Sequence, residues 1–510
     1  MLMPLMIAAL YLSASSNDNK NVIKIKSAFA IFRICFSKED YTITKPDEYR
    51  AMKTFYINNY IDLTYDHVQS MSKRSFIVFI ILPLLSGLIC FNSIYCYPLP
   101  SKFPNPYKYR LISTYFLLSR TFAYYLSYLS SFLMDKDYEL GEYYFLRLFY
   151  NFLFSCNGLK HRDQLDGLSI KDHTINNYRL RLYDFPRFMH GKQENRTIGF
   201  PLIIYLRGGS FILGNLDTHD SIAYNLAKTT RIAVLALDYN LAPEQAYPTQ
   251  INYCYDFIKQ LLLGSYFNPV DRSKILLIGD EVGATMVLSI VQRLQAEDLR
   301  IAGQILIYPI LQYYNMKLPS HNRYFSENIL GLYDQYFLQL MLHAYTNLNV
   351  TSSLFMNEHH SRLSRLMKEY SYMNNYVNED YLPEDYRQQS QNDSKNDNVD
   401  RTTIISPSSY NEQLVNEYAL LLLSDLSPGL STDDMLKTMP PTFILTMDHD
   451  PFRDDGWILS RRLYLLHCSI HHLNYNLGFR GILQFDGYLR FDLMPVVYLN
   501  IVEFITAIGF

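Results

Sequence analysis

The chain has 510 residues, a formal net charge of −3 and 19% charged residues. This balance lacks the concentrated positive charge of nucleic-acid-binding proteins, so no nucleic-acid partner is expected. The 49% share of hydrophobic residues is sufficient for a large core. The six cysteines are scattered and have no metal-ligand spacing, so we expect neither a metal site nor a cofactor.

One long apolar segment stands in the N-terminal part of the chain, at residues 76–96. It has no charged residue, and its length of about twenty residues is enough for a helix to span a bilayer. We therefore predict a transmembrane anchor at 76–96, with a buried core helix as the alternative. The extension at 1–75 is poorly defined, and its first residues could form a cleavable leader.

Basic residues flank both ends of this segment, so the positive-inside rule does not orient it. Three Asn-x-Ser/Thr glycosylation acceptors follow it, at Asn195, Asn349 and Asn392. Their placement favours a luminal C-terminal domain, although such triplets also arise by chance. Residues 97–164 contain Leu, Phe and Tyr at helical spacing, which predicts a helical cap or linker.

Strands and helices alternate after residue 165, which predicts a mostly parallel sheet. A buried strand predicted at 201–206 is followed by Arg-Gly-Gly-Ser at 207–210. A glycine pair directly after a strand allows backbone N–H groups to face a ligand oxygen. The next predicted strand, 232–237, leads into Asp-Tyr-Asn-Leu-Ala-Pro-Glu at 238–244.

A sharp turn between a strand and a helix is predicted at residues 279–283, which read Gly-Asp-Glu-Val-Gly. This is the setting of the G-x-S-x-G nucleophile elbow, where the middle residue is held at the top of the turn. Both glycines are present, but Glu281 takes the place of the serine. Glycines at this spacing also occur in ordinary packing turns, so the interpretation depends on the other motifs.

Two further motifs follow a long insertion at residues 312–436. Within the insertion, the polar stretch around 384–409 predicts a disordered loop. Asp450 follows a strand predicted at 442–447, and a carboxylate in that place lies at the edge where α/β sheets have their sites. The last motif, Gly-Phe-Arg-Gly at 478–481, contains Arg480.

The order and spacing of these motifs resemble the hormone-sensitive-lipase branch of the α/β-hydrolases, in particular the arylacetamide deacetylase and neutral cholesterol ester hydrolase group. The resemblance implies an α/β-hydrolase fold over residues 165–510, with a mostly parallel central sheet and a helical cap. Members of this group are membrane-anchored carboxylic ester hydrolases of the endoplasmic-reticulum lumen. The resemblance therefore implies a single-pass membrane protein with an apolar ester or lipid ligand. A role as a scaffold for a protein partner is the alternative, and the sequence does not identify such a partner.

The resemblance places Glu281 at the nucleophile position, Asp450 at the acid and Arg480 at the histidine. The oxyanion-hole donors that it implies are the N–H groups of Gly208, Gly209 and Val282. A glutamate has no hydroxyl to activate, and a guanidinium stays protonated and cannot act as a general base. We therefore predict a catalytically impaired or inactive hydrolase-fold protein, in which Glu281, Arg480 and Asp450 converge in a salt bridge.

Two alternatives retain catalysis. Glu281 could act as a carboxylate nucleophile, as an aspartate does in epoxide hydrolases and haloalkane dehalogenases of this fold. Those enzymes also use a histidine, and Arg480 removes it. A different histidine could instead supply the base. The candidates are His449, His467, His471 and His472.

Overall fold

The computed structural model describes residues 105–134, 138–155, 167–185, 199–266, 270–327, 333–348, 373, 375–387, 419–485 and 489–510. The chain divides into two compact units, Met1–Pro98 and Leu99–Phe510, and all described residues lie in the second. The anchor predicted at 76–96, the extension at 1–75 and the three glycosylation acceptors lie outside the described residues. Those expectations therefore stay predictions.

A helical hairpin occupies the range predicted as cap or linker. It consists of α1 (Pro106–Met134) and α2 (Tyr138–Ser155). Phe116 of α1 packs against Tyr150 and Phe154 of α2, with ring centroids 6.4 Å from each. No helix in the described ranges is long and apolar enough to cross a membrane.

A single eight-stranded sheet forms the centre of the second unit, with strand order β1-β2-β4-β3-β5-β6-β7-β8. Its strands are β1 (Ser169–Ile175), β2 (Tyr178–Asp184), β3 (Phe200–Leu206), β4 (Ala233–Asp238), β5 (Val270–Asp280), β6 (Gly303–Ile307), β7 (Thr442–His449) and β8 (Ile470–Phe479). Only the pairs β1–β2 and β2–β4 are antiparallel. The prediction of a mostly parallel sheet is confirmed.

Helices connect these strands and pack against the sheet. They are α3 (Asp220–Thr230), α4 (Thr249–Leu262), α5 (Val282–Ala296), α6 (Pro319–Glu327), α7 (Gln335–Thr346), α8 (Asp433–Leu436), α9 (Arg453–Leu465) and α10 (Met494–Ala507). The central strands are apolar and buried along most of their length, as expected where helices cover both faces of a parallel sheet.

The parallel strands also determine where the motifs meet. Strands β3, β5, β7 and β8 run in the same direction, so the loops that follow them leave the sheet at one edge. The Gly-Gly loop follows β3, Glu281 follows β5, Asp450 follows β7 and Arg480 follows β8. Residues from four separate parts of the sequence therefore lie around one site.

The ordered structure extends into the loop predicted at 384–409. Residues 384–387 form a turn of helix, and residues 388–409 lie outside the described ranges. Tyr386 donates a hydrogen bond to Asp448 Oδ1 at 2.9 Å, and the guanidinium of Arg453 lies 3.6 Å from the centroid of its ring. These contacts hold the polar segment 384–387 against the edge of the sheet, and the loop predicted around 384–409 otherwise stays a prediction.

Candidate active site

The turn around Glu281 has the geometry of a nucleophile elbow. Glu281 lies between β5 and α5 with φ 55° and ψ −121°, a strained conformation for a residue with a side chain. The flanking glycines permit it, because a Cβ on Gly279 would lie 2.4 Å from the carbonyl carbon of Gly283. A Cβ on Gly283 would lie 2.2 Å from the backbone oxygen of Leu206. Close packing of strand and helix thus requires both glycines.

The Glu281 carboxylate is buried and bound by the loop that follows β3. Its Oε2 atom accepts a hydrogen bond from the N–H of Gly209 at 2.9 Å. Its Oε1 atom accepts a short hydrogen bond from the hydroxyl of Ser210, which also lies 3.3 Å from the hydroxyl of Tyr333. The N–H of Gly209, one of the predicted oxyanion donors, is therefore already bound to a carboxylate of the protein itself.

A second predicted donor is also engaged. The N–H of Gly208 donates to Asp280 Oδ1 at 2.8 Å, and the hydroxyl of Tyr205 donates to the same atom at 2.6 Å. Burial raises the pKa of Asp280 to about 6, although these hydrogen bonds partly oppose the shift. The third predicted donor, Val282, is the first residue of α5, directly after the elbow.

Arg480 and Asp450 form a buried ion pair. Arg480 Nε donates to Asp450 Oδ1 at 2.8 Å, and both side chains are 0% exposed. The N–H of Phe452 donates to the same oxygen at 2.9 Å. Burial alone lowers the pKa of Arg480, but the attraction of Asp450 and then of Glu281 outweighs it and raises that pKa above its ordinary value. Arg480 is therefore a permanent cation at the position where the sequence resemblance predicts a histidine.

Of the predicted three-way salt bridge, only the contact between Arg480 and Asp450 is present. Within the described part of the chain, Arg480 is paired with Asp450, and no ion pair joins it to Glu281. Glu281 instead forms its close contacts with Gly209 and Ser210. The physical reason is that the loop after β3 brings neutral donors within hydrogen-bonding distance of this carboxylate.

The four histidines proposed as substitute bases lie on the last strands and the turn between them. The ring of His471 packs on Phe443, and the Nε2 atom of His472 lies 2.9 Å from the hydroxyl of Thr446. His467 lies in the turn after α9. His449 ends β7, and burial lowers the pKa of its ring to about 4. The described contacts of His467, His471 and His472 do not include Glu281 or Asp450.

Two side chains near the elbow were not predicted from the sequence to belong to the site. The ring of His219 lies between Thr218 and Gln484, and its Nε2 atom is 4.0 Å from Asp280 Oδ2. Burial lowers the pKa of His219 to about 3, so it is neutral at physiological pH. Tyr333 contacts Ser210 from the start of the segment that leads into α7. Neither residue belongs to a motif, and only the tertiary fold brings them to the site.

Arg207, at the start of the loop after β3, binds the backbone. Its Nη1 donates to the carbonyl oxygen of Leu213 at 3.0 Å, and its Nη2 donates to that of Tyr239 at 3.1 Å. It thereby fixes the loop that holds Glu281. Among the described residues, no group of His, Cys, Asp or Glu side chains could hold a metal ion.

Comparison with known proteins agrees with this geometry. A family model described as alpha/beta hydrolase fold matches residues 203–370. Arylacetamide deacetylase of Oryctolagus cuniculus is 24% identical over 419 residues, which cover 80% of this chain and 94% of that protein. Neutral cholesterol ester hydrolase 1 of Bos taurus is 23% identical, over 79% of this chain and 93% of that protein.

The chain is an α/β-hydrolase-fold protein that resembles the hormone-sensitive-lipase branch. An esterase of Pyrobaculum calidifontis has the same fold, with a TM-score of 0.51 and 18% identity over 74% of this chain and 94% of that one. These relatives are a deacetylase, an ester hydrolase and an esterase. In this chain the apex of the elbow is Glu281, and Arg480 follows β8.

Proposed function

We propose that this hydrolase-fold protein binds an apolar ester or lipid and has lost hydrolysis by the serine triad. The observation that supports the proposal best is the position of the Glu281 carboxylate, which is bound by the N–H of Gly209 and the hydroxyl of Ser210. These are the donors nearest the elbow. An ester whose carbonyl oxygen entered this place would have to displace a buried carboxylate.

Several physical effects oppose ester hydrolysis at this site. An oxyanion that forms beside Glu281 is repelled by its negative charge, because the site is buried and electrostatic interactions there are weakly screened. Arg480 cannot accept a proton, and it already binds the acid that would orient a histidine. In serine hydrolases the loss of a single triad member costs several orders of magnitude in rate.

The alternative in which Glu281 is itself the nucleophile receives less support. A nucleophilic carboxylate oxygen must face the substrate, whereas each oxygen of Glu281 accepts a hydrogen bond from the loop. The ester intermediate formed on it would also need a base to activate water, and Arg480 occupies that position.

A membrane location is the second part of the proposal. The helix α2 exposes Tyr144, Leu148 and Phe152, which are 63%, 48% and 50% exposed and follow one another at intervals of four residues. This spacing places them on one face of the helix. An apolar aromatic face near the N-terminal side of the domain fits an anchor at 76–96 that holds the domain at a lipid surface.

The loss of hydrolysis is tested with the full chain, short p-nitrophenyl esters and a fluorophosphonate probe. We expect turnover equal to a heat-denatured control and no specific labelling. The double variant Glu281→Ser/Arg480→His frees the N–H of Gly209 and restores the triad with Asp450, so weak hydrolysis should appear only in this variant. Wild-type turnover that Asp450→Asn abolishes would show that a working site survives.

The luminal location is tested by enzymatic deglycosylation of the protein from a eukaryotic membrane fraction. We expect a mobility shift that is lost when Asn195, Asn349 and Asn392 are replaced together by Gln. Recovery of the protein in the soluble fraction, or unglycosylated protein in the membrane, would contradict an anchored luminal domain.

A further inference from the structure

The guanidinium of Arg480 has more donors than the protein uses. Its Nε atom binds Asp450, but within the described residues Nη1 and Nη2 are buried and have no hydrogen-bond partner. Rings surround the guanidinium carbon, with the centroids of Phe452, Tyr333 and Tyr308 at 5.0, 5.6 and 5.8 Å. A buried charged donor without a hydrogen bond is costly, so its retention indicates a polar partner.

Asp450 has a matching acceptor without a partner. Its Oδ1 atom receives both Arg480 and Phe452, whereas Oδ2 is buried and accepts no hydrogen bond from the described residues. Oδ2 is covalently fixed close to Oδ1, and both Nη atoms are fixed close to Nε. The unused donors and the unused acceptor therefore lie within a few ångströms of one another.

The donors of the glycine loop are already engaged. Gly208 donates to Asp280, and Gly209 and Ser210 donate to Glu281. A ligand oxygen that enters the site therefore finds, on Arg480, donors that no described residue occupies. Arg480 presents a planar fork of N–H groups, which fits the two oxygens of a carboxyl group.

We propose that Arg480 and Asp450 form a binding site for the carboxyl group of an apolar monocarboxylic acid, with one proton shared between the acid and Asp450. The acid's oxygens accept hydrogen bonds from Nη1 and Nη2, and its O–H group donates to Oδ2. An ester of the same acid offers acceptors but no donor, so it leaves Oδ2 without a partner. This inference rests on the proposed binding function and specifies the ligand class.

The charges around Arg480 explain why the proton is taken up. The titratable groups that face it or its partner are Asp450, Glu281, Tyr308, Tyr313, Tyr333, His321 and Asp455. Burial keeps the tyrosines and His321 neutral between pH 5 and pH 7.5. Asp450 already neutralises Arg480 and Glu281 adds a further negative charge, so a fully ionised acid would be repelled. Binding is therefore expected to tighten as the pH falls from 7.5 to 5.5.

The experiment measures binding of octanoic acid and methyl octanoate to the full chain in detergent, by calorimetry at pH 5.5 and 7.5. We expect the acid to bind at least about tenfold more tightly than the ester at pH 5.5, as the hydrogen bonds to a charged group imply. A carboxyl-¹³C label on the acid should show a chemical-shift change on binding that the control variant described next retains.

Two variants test whether Arg480 and Asp450 cause the preference for the acid over the ester. Asp450→Asn/Arg480→Met removes both charges together, which avoids an unpaired buried ion, and should bind acid and ester equally at both pH values. Arg462→Met is the matched control, because Arg462 is an equally buried arginine that binds the backbone oxygens of Gly429 and Ser431, so the preference for acid should remain.

Each remaining outcome contradicts the inference. Equal binding of acid and ester to the wild type would overturn the carboxyl site and leave the proposed ester or lipid binding intact. A preference for acid that persists in Asp450→Asn/Arg480→Met would place the carboxyl group elsewhere. If neither compound binds the wild type, the carboxyl site and the proposed binding function both fail.

Discussion

Glu281 and Arg480 are both held by hydrogen bonds to neighbouring groups at one edge of the sheet. Glu281 retains the strained conformation of the elbow apex, and its carboxylate takes the donors of the neighbouring loop. Arg480 binds a different carboxyl group, since its Nε atom donates to Asp450. Both side chains thus take part in static hydrogen bonds.

The effects of replacing Arg480 and Asp450 on the free energy of unfolding should be strongly non-additive. Arg480→Met alone and Asp450→Asn alone each leave one buried group without its partner, so each should lower the free energy of unfolding by about 3–5 kcal/mol. The double variant removes both groups and should lose much less than the sum of the two losses. Urea denaturation of the four proteins measures this coupling.

The exposed pair Lys437 and Asp434 provides the control cycle. Its side chains are 55% and 91% exposed, so solvent screens the attraction. The cycle of Lys437→Met and Asp434→Asn should therefore give a much smaller coupling than the cycle of Arg480 and Asp450. A coupling between Arg480 and Asp450 that is no larger than that of the exposed pair would mean that the two side chains do not form the buried pair.

At the scale of an element, the contact of β3, β5 and α5 holds the elbow in place. The strand and helix approach so closely that neither glycine of the elbow can have a side chain. The strained apex depends on this packing, because Glu281 adopts its conformation only where the surrounding structure imposes it.

Gly283→Ala should therefore destabilise the fold even though alanine is the better helix former. Gly283 lies in the first turn of α5, where the helix propensity of alanine would otherwise stabilise the protein by up to about 1 kcal/mol. The clash with the backbone of Leu206 should outweigh this gain and give a net loss of about 1–3 kcal/mol. Thermal melting monitored by circular dichroism measures the change.

Gly167→Ala is the control for Gly283→Ala. It measures the cost of a positive φ without a steric clash. Gly167 has φ +70°, and no atom lies within 4 Å of the place that a Cβ would take, so only the left-handed backbone cost of about 1–2 kcal/mol applies. Gly283 does not have a positive φ. If Gly283→Ala were as stable as the wild type, the close approach of α5 to β3 would be wrong.

At the scale of the whole molecule, buried histidines and buried carboxyl groups have opposite effects on stability in acid. Burial lowers the pKa of His219, His321 and His472 to about 3 and that of His449 to about 4. These rings stay neutral in the folded protein while the unfolded chain binds protons below pH 6.5, so they reduce stability as the pH falls. At pH 5 each costs about 2 kcal/mol.

The carboxyl groups oppose this effect. Burial raises the pKa of Asp280 to about 6 and that of Asp455 to about 7, so the folded protein binds their protons first and gains stability as the pH falls. Together they contribute about 4 kcal/mol between pH 7 and pH 5. The four histidines, which together cost about 8 kcal/mol, and the buried carboxyl groups therefore have opposite effects on stability over this interval.

His321→Leu tests whether buried histidines reduce stability in acid. It removes one imidazole ring whose pKa is lowered by burial and which stays neutral in the folded protein. The loss of unfolding free energy between pH 7 and pH 5 should be about 2 kcal/mol smaller than in the wild type. Met316→Leu changes a buried side chain without a titratable group and should retain the wild-type pH dependence. Equal pH dependence in His321→Leu and the wild type would show that His321 is protonated in the folded protein.

The sequence alone determined which segments form the sheet and which residues follow its strands. Apolar runs specify β3, β4, β5 and β7, because a strand buried on both faces has few alternatives. The adjoining motifs placed Glu281 and Asp450 at the ends of strands, and the resemblance placed Arg480 at the same site. Local patterns are sufficient here, since the positions depend on chain direction and not on side-chain contacts.

Only the tertiary structure decided which of these residues bind one another. Glu281 and Arg480 have opposite charges, yet Glu281 binds Gly209 and Ser210 and Arg480 binds Asp450. The outcome depends on ångström-scale distances between loops that are far apart in the sequence, and the order of residues does not specify such distances. For the same reason, neither the contact of His219 with Gln484 nor the unused donors of Arg480 had any signal in the sequence.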